Sequence, residues 1–199
     1  MPTHSEGGAN APRTDETVRA APRAAQTLGF REIHDTHYAF VWRYAANHRV
    51  PKMAIDDVVQ EVFVIVHHRL SSFEGRSSLK TWLAGIAHNV VRAYFRKPGN
   101  RLAENTPIDE LQLLAPGANP AEALERKVAL ELLHQLLDKL SDAQREVFIL
   151  CEIEQLSSVE VAEALGTNES TVRTRLFAAR KLFNTGAARA RAAQKWRKP

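Results

Sequence analysis

Cysteine is nearly absent from this chain of 199 residues: Cys151 stands alone, which excludes an internal disulfide framework and a multi-cysteine zinc site. Aromatic residues make up only 7%, so two small helical units fit the composition better than one large core. No run of about 18 apolar residues occurs, so no membrane insertion is expected, and the start carries no signal-peptide pattern. These absences point to the cytoplasm. There is also no Gly-rich phosphate loop, no nucleophile elbow and no carboxylate pair with a plausible pocket, which argues against an enzyme and against a cofactor. His34 and His37 are three apart, His67 and His68 adjacent and His48 isolated, but nothing closes a four-ligand set, so no metal site is expected. Cys151 falls in an apolar helix and reads as a small hydrophobe rather than a redox sensor.

What the chain has instead is helical period. Ile55, Val58, Val59, Val62, Phe63, Val66 and Leu70 recur at the i, i+3, i+4, i+7 spacing of one helical face. After a short polar loop, Leu79, Trp82, Leu83, Ile86, Ala87, Val90, Val91 and Tyr94 repeat the pattern. The first helix turns Asp56, Asp57, Gln60 and Glu61 outward, an acidic patch, and the second turns out Lys80, Asn89, Arg92 and Arg96. Two helices with a shared core and opposite outward charge imply two partners, one basic and one a polyanion. A net charge of +4 agrees with the second.

Residues 1–27, rich in Ala, Pro, Gly, Thr and Glu without an apolar period, read as a disordered tail. Phe30, Ile33, His37, Val41, Tyr44 and Ala45 predict a helix that packs on the central pair, and Pro51 a break before the acidic helix. The first domain is thus residues 28–97. Pro98, Pro107, Pro116 and Pro120 punctuate a flexible linker over 98–120. Roughly two dozen residues reach about 80 Å extended and average about 25–30 Å as free coil. Contacts a turn and a half of duplex apart, about 50 Å, are within that reach.

The second domain is expected over 121–185. Leu124, Val128, Leu132, Leu136, Leu137 and Leu140 suggest one helix; Ser141 and Asp142 offer an N-cap for another, with Val147, Phe148 and Leu150 on its buried side. Ser157 or Ser158 can cap a short helix containing Val161, Ala162 and Leu165, with Gly166 at C′. Ser170 begins a last helix with Val172, Leu176, Ala179 and Phe183 inward. A short helix, a Gly-containing turn and a longer helix make a helix-turn-helix pattern. Charge sharpens it. From Ser170 onward Arg173, Arg175, Arg180, Lys181, Arg189, Arg191, Lys195, Arg197 and Lys198 face no Asp or Glu, whereas acids outnumber bases from Ala121 through Glu169. Residues 186–199 form a basic C-terminal tail.

The stretch IDDVVQEVFVIVHHRLSSFEGRSSLKTWLAGIAHNVVRAYFRK joins a D-x-V-Q-E-V-F helix, an S-F-x-G-x-S-S loop, a T-W-L and an I-A-x-N. It resembles region 2 of bacterial sigma factors of the extracytoplasmic-function group. The stretch LDKLSDAQREVFILCEIEQLSSVEVAEALGTNESTVRTRLFAARKLF resembles region 4 of the same family. The resemblance implies an all-α, two-domain transcription initiation factor that binds core RNA polymerase through the β′ clamp helices and β flap, with promoter DNA and an anti-sigma factor as further partners. It implies polymerase contacts at Asp57, Gln60 and Glu61, and −10 element contacts at Phe73, Lys80, Trp82, Asn89, Arg92 and Arg96. It places −35 contacts at Ser170, Thr171, Arg173, Thr174, Arg175, Arg180 and Lys181.

Each assignment has a plainer counterpart. Asp57, Gln60 and Glu61 taken alone are a solvated helix face, and Asn89 alone is surface filler. Trp82 lies on the apolar stripe, so core packing is its main expected role. Phe73 sits in a polar loop where a core role is harder to supply, and a ring there could stack on an unstacked base, worth about 1–3 kcal/mol. The alternative for the whole chain is a stand-alone helix-turn-helix regulator binding duplex DNA as a dimer. An adaptor with two helical domains leaves the basic last helix unexplained.

Overall fold

The computed structural model describes residues 29–100 and 120–196. The expected tail over 1–27, nearly all of the 98–120 linker and the last three residues lie outside the described residues. Among the described residues seven α-helices follow one another: α1 (Phe30–Asn47), α2 (Lys52–Arg69), α3 (Leu79–Arg96), α4 (Pro120–Leu137), α5 (Asp142–Phe148), α6 (Ser158–Leu165) and α7 (Glu169–Trp196). Among the described residues there is no strand, and no helix is long and apolar enough to cross a membrane.

The helix boundaries follow from local chemistry. Pro51 stands at the N-cap of α2, where its missing N–H costs nothing. Ser78 caps α3 by accepting a hydrogen bond from the Thr81 N–H at 3.1 Å. Ser141 with Gln144, and Ser157 with Glu160, form reciprocal capping boxes at the starts of α5 and α6. Ser157 is therefore the cap and Ser158 the first helical residue. Gly166 ends α6 at φ 61°, a left-handed conformation that a side chain would strain. Asn168 then accepts from the Thr171 N–H at 2.8 Å, so α7 starts at Glu169, one residue before Ser170.

α1, α2 and α3 enclose Tyr44, Val41, Val59, Val62, Leu83 and Ala87. α4 to α7 enclose Leu137, Val147, Leu150, Val161, Val172 and Ala179. The apolar side chains of the two groups merge into one continuous core, because α3 packs directly on α6. The sequence predicts two units joined by a flexible linker; the described helices form two units in contact.

Three features depart from the periodicity. Leu124 and Val128 in the first half of α4 are exposed, although they extend the apolar period of its second half. α5 continues into a π-helical turn, Ile149–Ile153, in which the Glu154 N–H bonds the Ile149 carbonyl at 2.9 Å. The wider turn rotates the following side chain out of register. Finally, α7 does not stop at residue 185: its Ala-rich continuation keeps the helix running for 28 residues, about 42 Å. Gly186 lets this part lie close to α4, since a Cβ there would meet the Leu136 Cδ2 at 2.5 Å.

Candidate nucleic-acid interface

Three surfaces carry the side chains that the sequence singles out. The first is the outer face of α2, where Asp57, Gln60 and Glu61 are all exposed while Val58, Val59 and Val62 hold the core. Beside them α1 and α2 enclose an open groove of about 430 Å³, lined among others by Phe30, His34, Tyr38, Gln60 and Phe63. Its aromatic lining went unread in the sequence, because residues of α1 and α2 at remote positions build it together. His34 sits against Phe63 with ring centroids 4.6 Å apart, so this histidine is a packing residue. Among the described residues no group of three or more His, Cys, Asp or Glu could hold a metal ion.

The second surface is α3 with the loop before it. Phe73 is 8% exposed and lies 4.9 Å from Trp82 between ring centroids. The expectation that a core role is hard to supply for Phe73 is thereby corrected: the loop folds back and the two rings shield one another. Trp82 is half-buried, as its place on the apolar stripe implied. Asn89 is exposed, and its amide nitrogen donates to the Gly85 carbonyl at 2.9 Å. A carbonyl only accepts, so the amide oxygen is the end that Asn89 offers outward. Arg92 and Arg96 are exposed too, with an Arg92 Nη1 3.5 Å from His88 Nε2.

Lys80 is engaged elsewhere. Its ammonium lies 2.5 Å from the Glu154 carbonyl oxygen and 3.3 Å from the Glu154 carboxylate, which is 1% exposed. The same carboxylate accepts from Arg43 through both oxygens, at 3.1 and 3.0 Å. Nearby, Glu146 accepts from Tyr44 at 3.2 Å and pairs with the buried His88. Burial pushes the Glu146 carboxyl up, but the hydrogen bond and charge of His88, with His48 and Tyr44, hold it below its ordinary range. Arg145 is buried and donates to the Asn47 carbonyl at 3.2 Å and to Asp138 at 2.6 Å. Arg49, left-handed at φ 65°, reaches Asp138 at 3.1 Å and Asp142 at 3.3 Å. Most acids of this seam come from the second unit and most bases from the first. The excess of acids in 121–169 was the readable sign; where those acids went was not.

The third surface is the first half of α7. Ser170, Arg173, Thr174 and Lys181 are exposed, Thr171 and Arg175 half-buried. Arg173 is held by Glu169 at 2.6 Å, and Thr174 bonds back to the Ser170 carbonyl at 2.9 Å. Arg180 is exposed and donates to Glu152 at 2.9 and 2.6 Å, which ties it to the π-helical turn. Phe177, 74% exposed between Arg173 and Lys181, was missed in the sequence. Its i+4 spacing from Arg173 on the solvent side of α7 was the available signal. Cys151 is half-buried, and burial, with Glu152 next to it, pushes its thiol up to about 11. That is a poor thiolate.

An acidic helix face, a mixed polar helix and a basic helix-turn-helix set apart on one helical chain define a class, a protein built to meet several macromolecular partners, a polyanion among them. Residues 33–101 match Sigma-70 region 2, and residues 130–183 match Sigma-70, region 4. RNA polymerase sigma factor NccH of Alcaligenes xylosoxydans xylosoxydans is 30% identical over 173 residues, 85% of this chain and 92% of that protein. ECF RNA polymerase sigma factor SigX of Bacillus subtilis is 31% identical over 153 residues, 73% of this chain and 76% of that protein. The fold also matches the sigma factor RpoE of Bartonella quintana, solved with the anti-sigma factor NepR. The TM-score is 0.64 at 21% identity, over 80% of this chain and 96% of that one. The chain belongs to the extracytoplasmic-function sigma factors. It is a transcription initiation factor that directs RNA polymerase to promoters.

Proposed function

We propose that the three surfaces divide the work of initiation. Asp57, Gln60 and Glu61 on α2 dock on the β′ clamp helices of core polymerase. α3, with Asn89, Arg92 and Arg96, opens and holds the −10 element; Lys80 joins it when released from Glu154, and Phe73 and Trp82 when their ring pair parts. α7 reads the −35 element, with Arg173, Thr174 and Lys181 outermost, Ser170 and Thr171 at the helix start, and Arg175 beside the buried seam. Arg180 positions α7 through Glu152, and Phe177 adds an apolar surface suited to a thymine methyl. The β flap of polymerase holds the second domain. The factor works in the cytoplasm and makes or breaks no covalent bond itself. Binding energy offsets the few kcal/mol of unpairing and unstacking, about that size in other strand-opening proteins. The partner of the Bartonella relative suggests that an anti-sigma factor controls this chain as well.

The single observation that carries this reading is the segregation of exposed charge, acidic on α2 and basic on α7, in the order of the two matched regions. Co-purification with core polymerase, followed by promoter run-off transcription, tests it. Without core, the chain should bind promoter duplex weakly and with steep salt dependence, since phosphate contacts dominate. With core it should form specific, melted complexes. Tight, specific binding of the lone chain to a palindromic site would favour a dimeric regulator instead.

A further inference from the structure

The second half of α7 belongs to none of the three surfaces. It continues as helix from Gly186 to Trp196 and is braced, since Gly186 is buried with the Leu136 side chain of α4 over it. Ala187 and Ala190 are half-buried, while Ala188, Arg189, Arg191 and Ala192 are exposed. The two arginines repeat an earlier spacing. Eighteen residues separate Arg191 from Arg173, and eighteen separate Arg189 from Thr171. That is about five full turns, so each arginine lies in line with its −35 counterpart, about 27 Å further along the helix. Arg173 and Arg180 are each held by a carboxylate, Glu169 and Glu152. Arg189 and Arg191 have no such partner among the described residues. The sequence places no Asp or Glu anywhere after Glu169 and adds Lys195, Arg197 and Lys198.

We propose that this half of α7 is a phosphate-binding arm, in which Arg189 and Arg191 grip the backbone of duplex DNA flanking the −35 element. This rests on the reading of the first half of α7 as the −35 reader. A major groove is about 12 Å wide, so a helix that enters it at Arg173 has passed its rim about 27 Å later. What faces the arm there is sugar and phosphate, not base edges. The arm therefore adds affinity without sequence preference, as phosphate contacts do. It is also unencumbered: Arg189 and Arg191 break no ion pair on meeting a phosphate, whereas Arg173 must leave Glu169. An acidic protein surface is the competing occupant, and two features favour DNA. The arm continues the DNA-facing side of α7 in register, and bracing against α4 keeps it a rigid extension of that side.

The test uses the full chain with Arg189→Gln and Arg191→Gln together. Glutamine matches arginine in helix propensity, so circular dichroism should not change. Binding to a labelled duplex carrying the −35 element, with about one helical turn of DNA on each side, is titrated with salt. Two phosphate contacts contribute about 1.8 to the slope of log affinity against log salt. Between about 50 and 200 mM salt the unaltered chain should therefore lose roughly tenfold more affinity than the variant. The −35 consensus selected with reconstituted polymerase should be the same for both. Arg126→Gln with Lys127→Gln, exposed on α4, is the control that removes the same charge elsewhere on the second domain. If the arm variant loses helicity, Arg191→Gln alone is read in the same way, with half the change in slope. An unchanged slope overturns the proposal, and so does an equal fall in the control, since net charge would then account for it. A changed consensus overturns it too, because the arm would be reading bases. An unchanged slope with weaker co-purification with core polymerase would hand the arm to an acidic protein surface. Arg173→Ala is measured alongside. If it alters neither consensus nor affinity, the −35 reading of α7 fails; if it does, a negative result for Arg189 and Arg191 sinks only the arm.

Discussion

Replacing Arg173 by alanine removes the most exposed base on the first turns of α7, and its effect can be bounded from the surroundings. The guanidinium, 69% exposed, lies 2.6 Å from Glu169 one turn earlier. An exposed i,i+4 pair of this kind is worth about 0.3–0.5 kcal/mol, and binding DNA must give that up. Glu169 stays in place without Arg173, because the Ser158 hydroxyl also donates to it at 2.7 Å. A good base contact contributes about 1–3 kcal/mol. The net loss is therefore about 0.5–2.7 kcal/mol, roughly 2- to 100-fold. Alanine is the best helix former, so α7 itself does not suffer. The assay is a −35 selection with reconstituted polymerase, in which the preferred base at one position should change. An unaltered consensus with uniformly weaker binding and a salt slope lower by about 1 would make Arg173 a phosphate contact. Glu169→Gln is the control: it frees the guanidinium and removes a negative charge beside the DNA, so binding should tighten a few-fold. If it weakens binding, Glu169 orients Arg173 for DNA and the subtraction above has the wrong sign.

Four further outcomes are expected. Gln60→Lys with Glu61→Lys should abolish co-purification with core polymerase while the circular dichroism stays helical; undiminished capture would remove α2 as the docking helix. Asn89→Ala should leave polymerase binding intact and cost about 1–3 kcal/mol of discrimination at the −10 element, visible by permanganate footprinting as a weaker or less selective bubble. Gly85→Ala should gain up to about 1 kcal/mol of helix propensity while crowding the Ala164 carbonyl oxygen of α6, 3.1 Å from where the Cβ would lie, so small-angle X-ray scattering should report a looser chain with no loss of helicity. On acidification, burial holds His48 down to about 4; the unfolded chain takes up that proton first, so stability should fall from about pH 6.5 to pH 4 by up to about 3 kcal/mol. Glu146 and Asp138, both below their ordinary range, add their own loss as the pH falls below the ordinary values of about 4.5 and 3.8. Urea titrations across that range should show the upper window flatten in His48→Gln.

The chemistry behind the His48 shift also marks what a sequence can and cannot convey. Its Nδ1 lies 2.7 Å from the Tyr44 carbonyl, one helical turn back, and so carries the hydrogen. Its Nε2 is buried with no partner, so a second proton would have nowhere to go. Nothing in the local sequence around His48 announces this, because the enclosure comes from the second unit. The helices, by contrast, were legible wherever a cap or a break sits next to an apolar period: Pro51, Ser141, Ser157 and Gly166 mark ends that the structure keeps. The long α7 was misjudged because composition changes at residue 186 while helix propensity does not: Ala, Arg and Gln continue what Leu and Phe began. Phe73 was misjudged for the opposite reason. Its neighbours in sequence are polar, and its partner in space, Trp82, is on the next helix. The seam was least legible of all, since Glu154 owes its aim to a π-helical turn that no periodicity foretells.

The seam also decides which groups are engaged at the outset. In the closed chain the carboxylates of α5 and the turn after it are committed to Arg43, Lys80 and His88. The basic half of α7 is not drawn into that seam: Arg173, Thr174, Phe177 and Lys181 remain exposed. The surface proposed for duplex DNA is thus presented at the outset; of the residues proposed for single strands, Asn89, Arg92 and Arg96 are exposed as well, whereas Lys80 is held by Glu154 and Phe73 by Trp82. Phosphate attraction acts over about a Debye length, roughly 8–10 Å at moderate salt, so α7 can meet a duplex while the seam is shut. On α3 the one proposed base that must first be released is Lys80, since the Glu154 carboxylate and carbonyl both hold its ammonium. Exposed Arg92 and Arg96 need no such release to meet a phosphate.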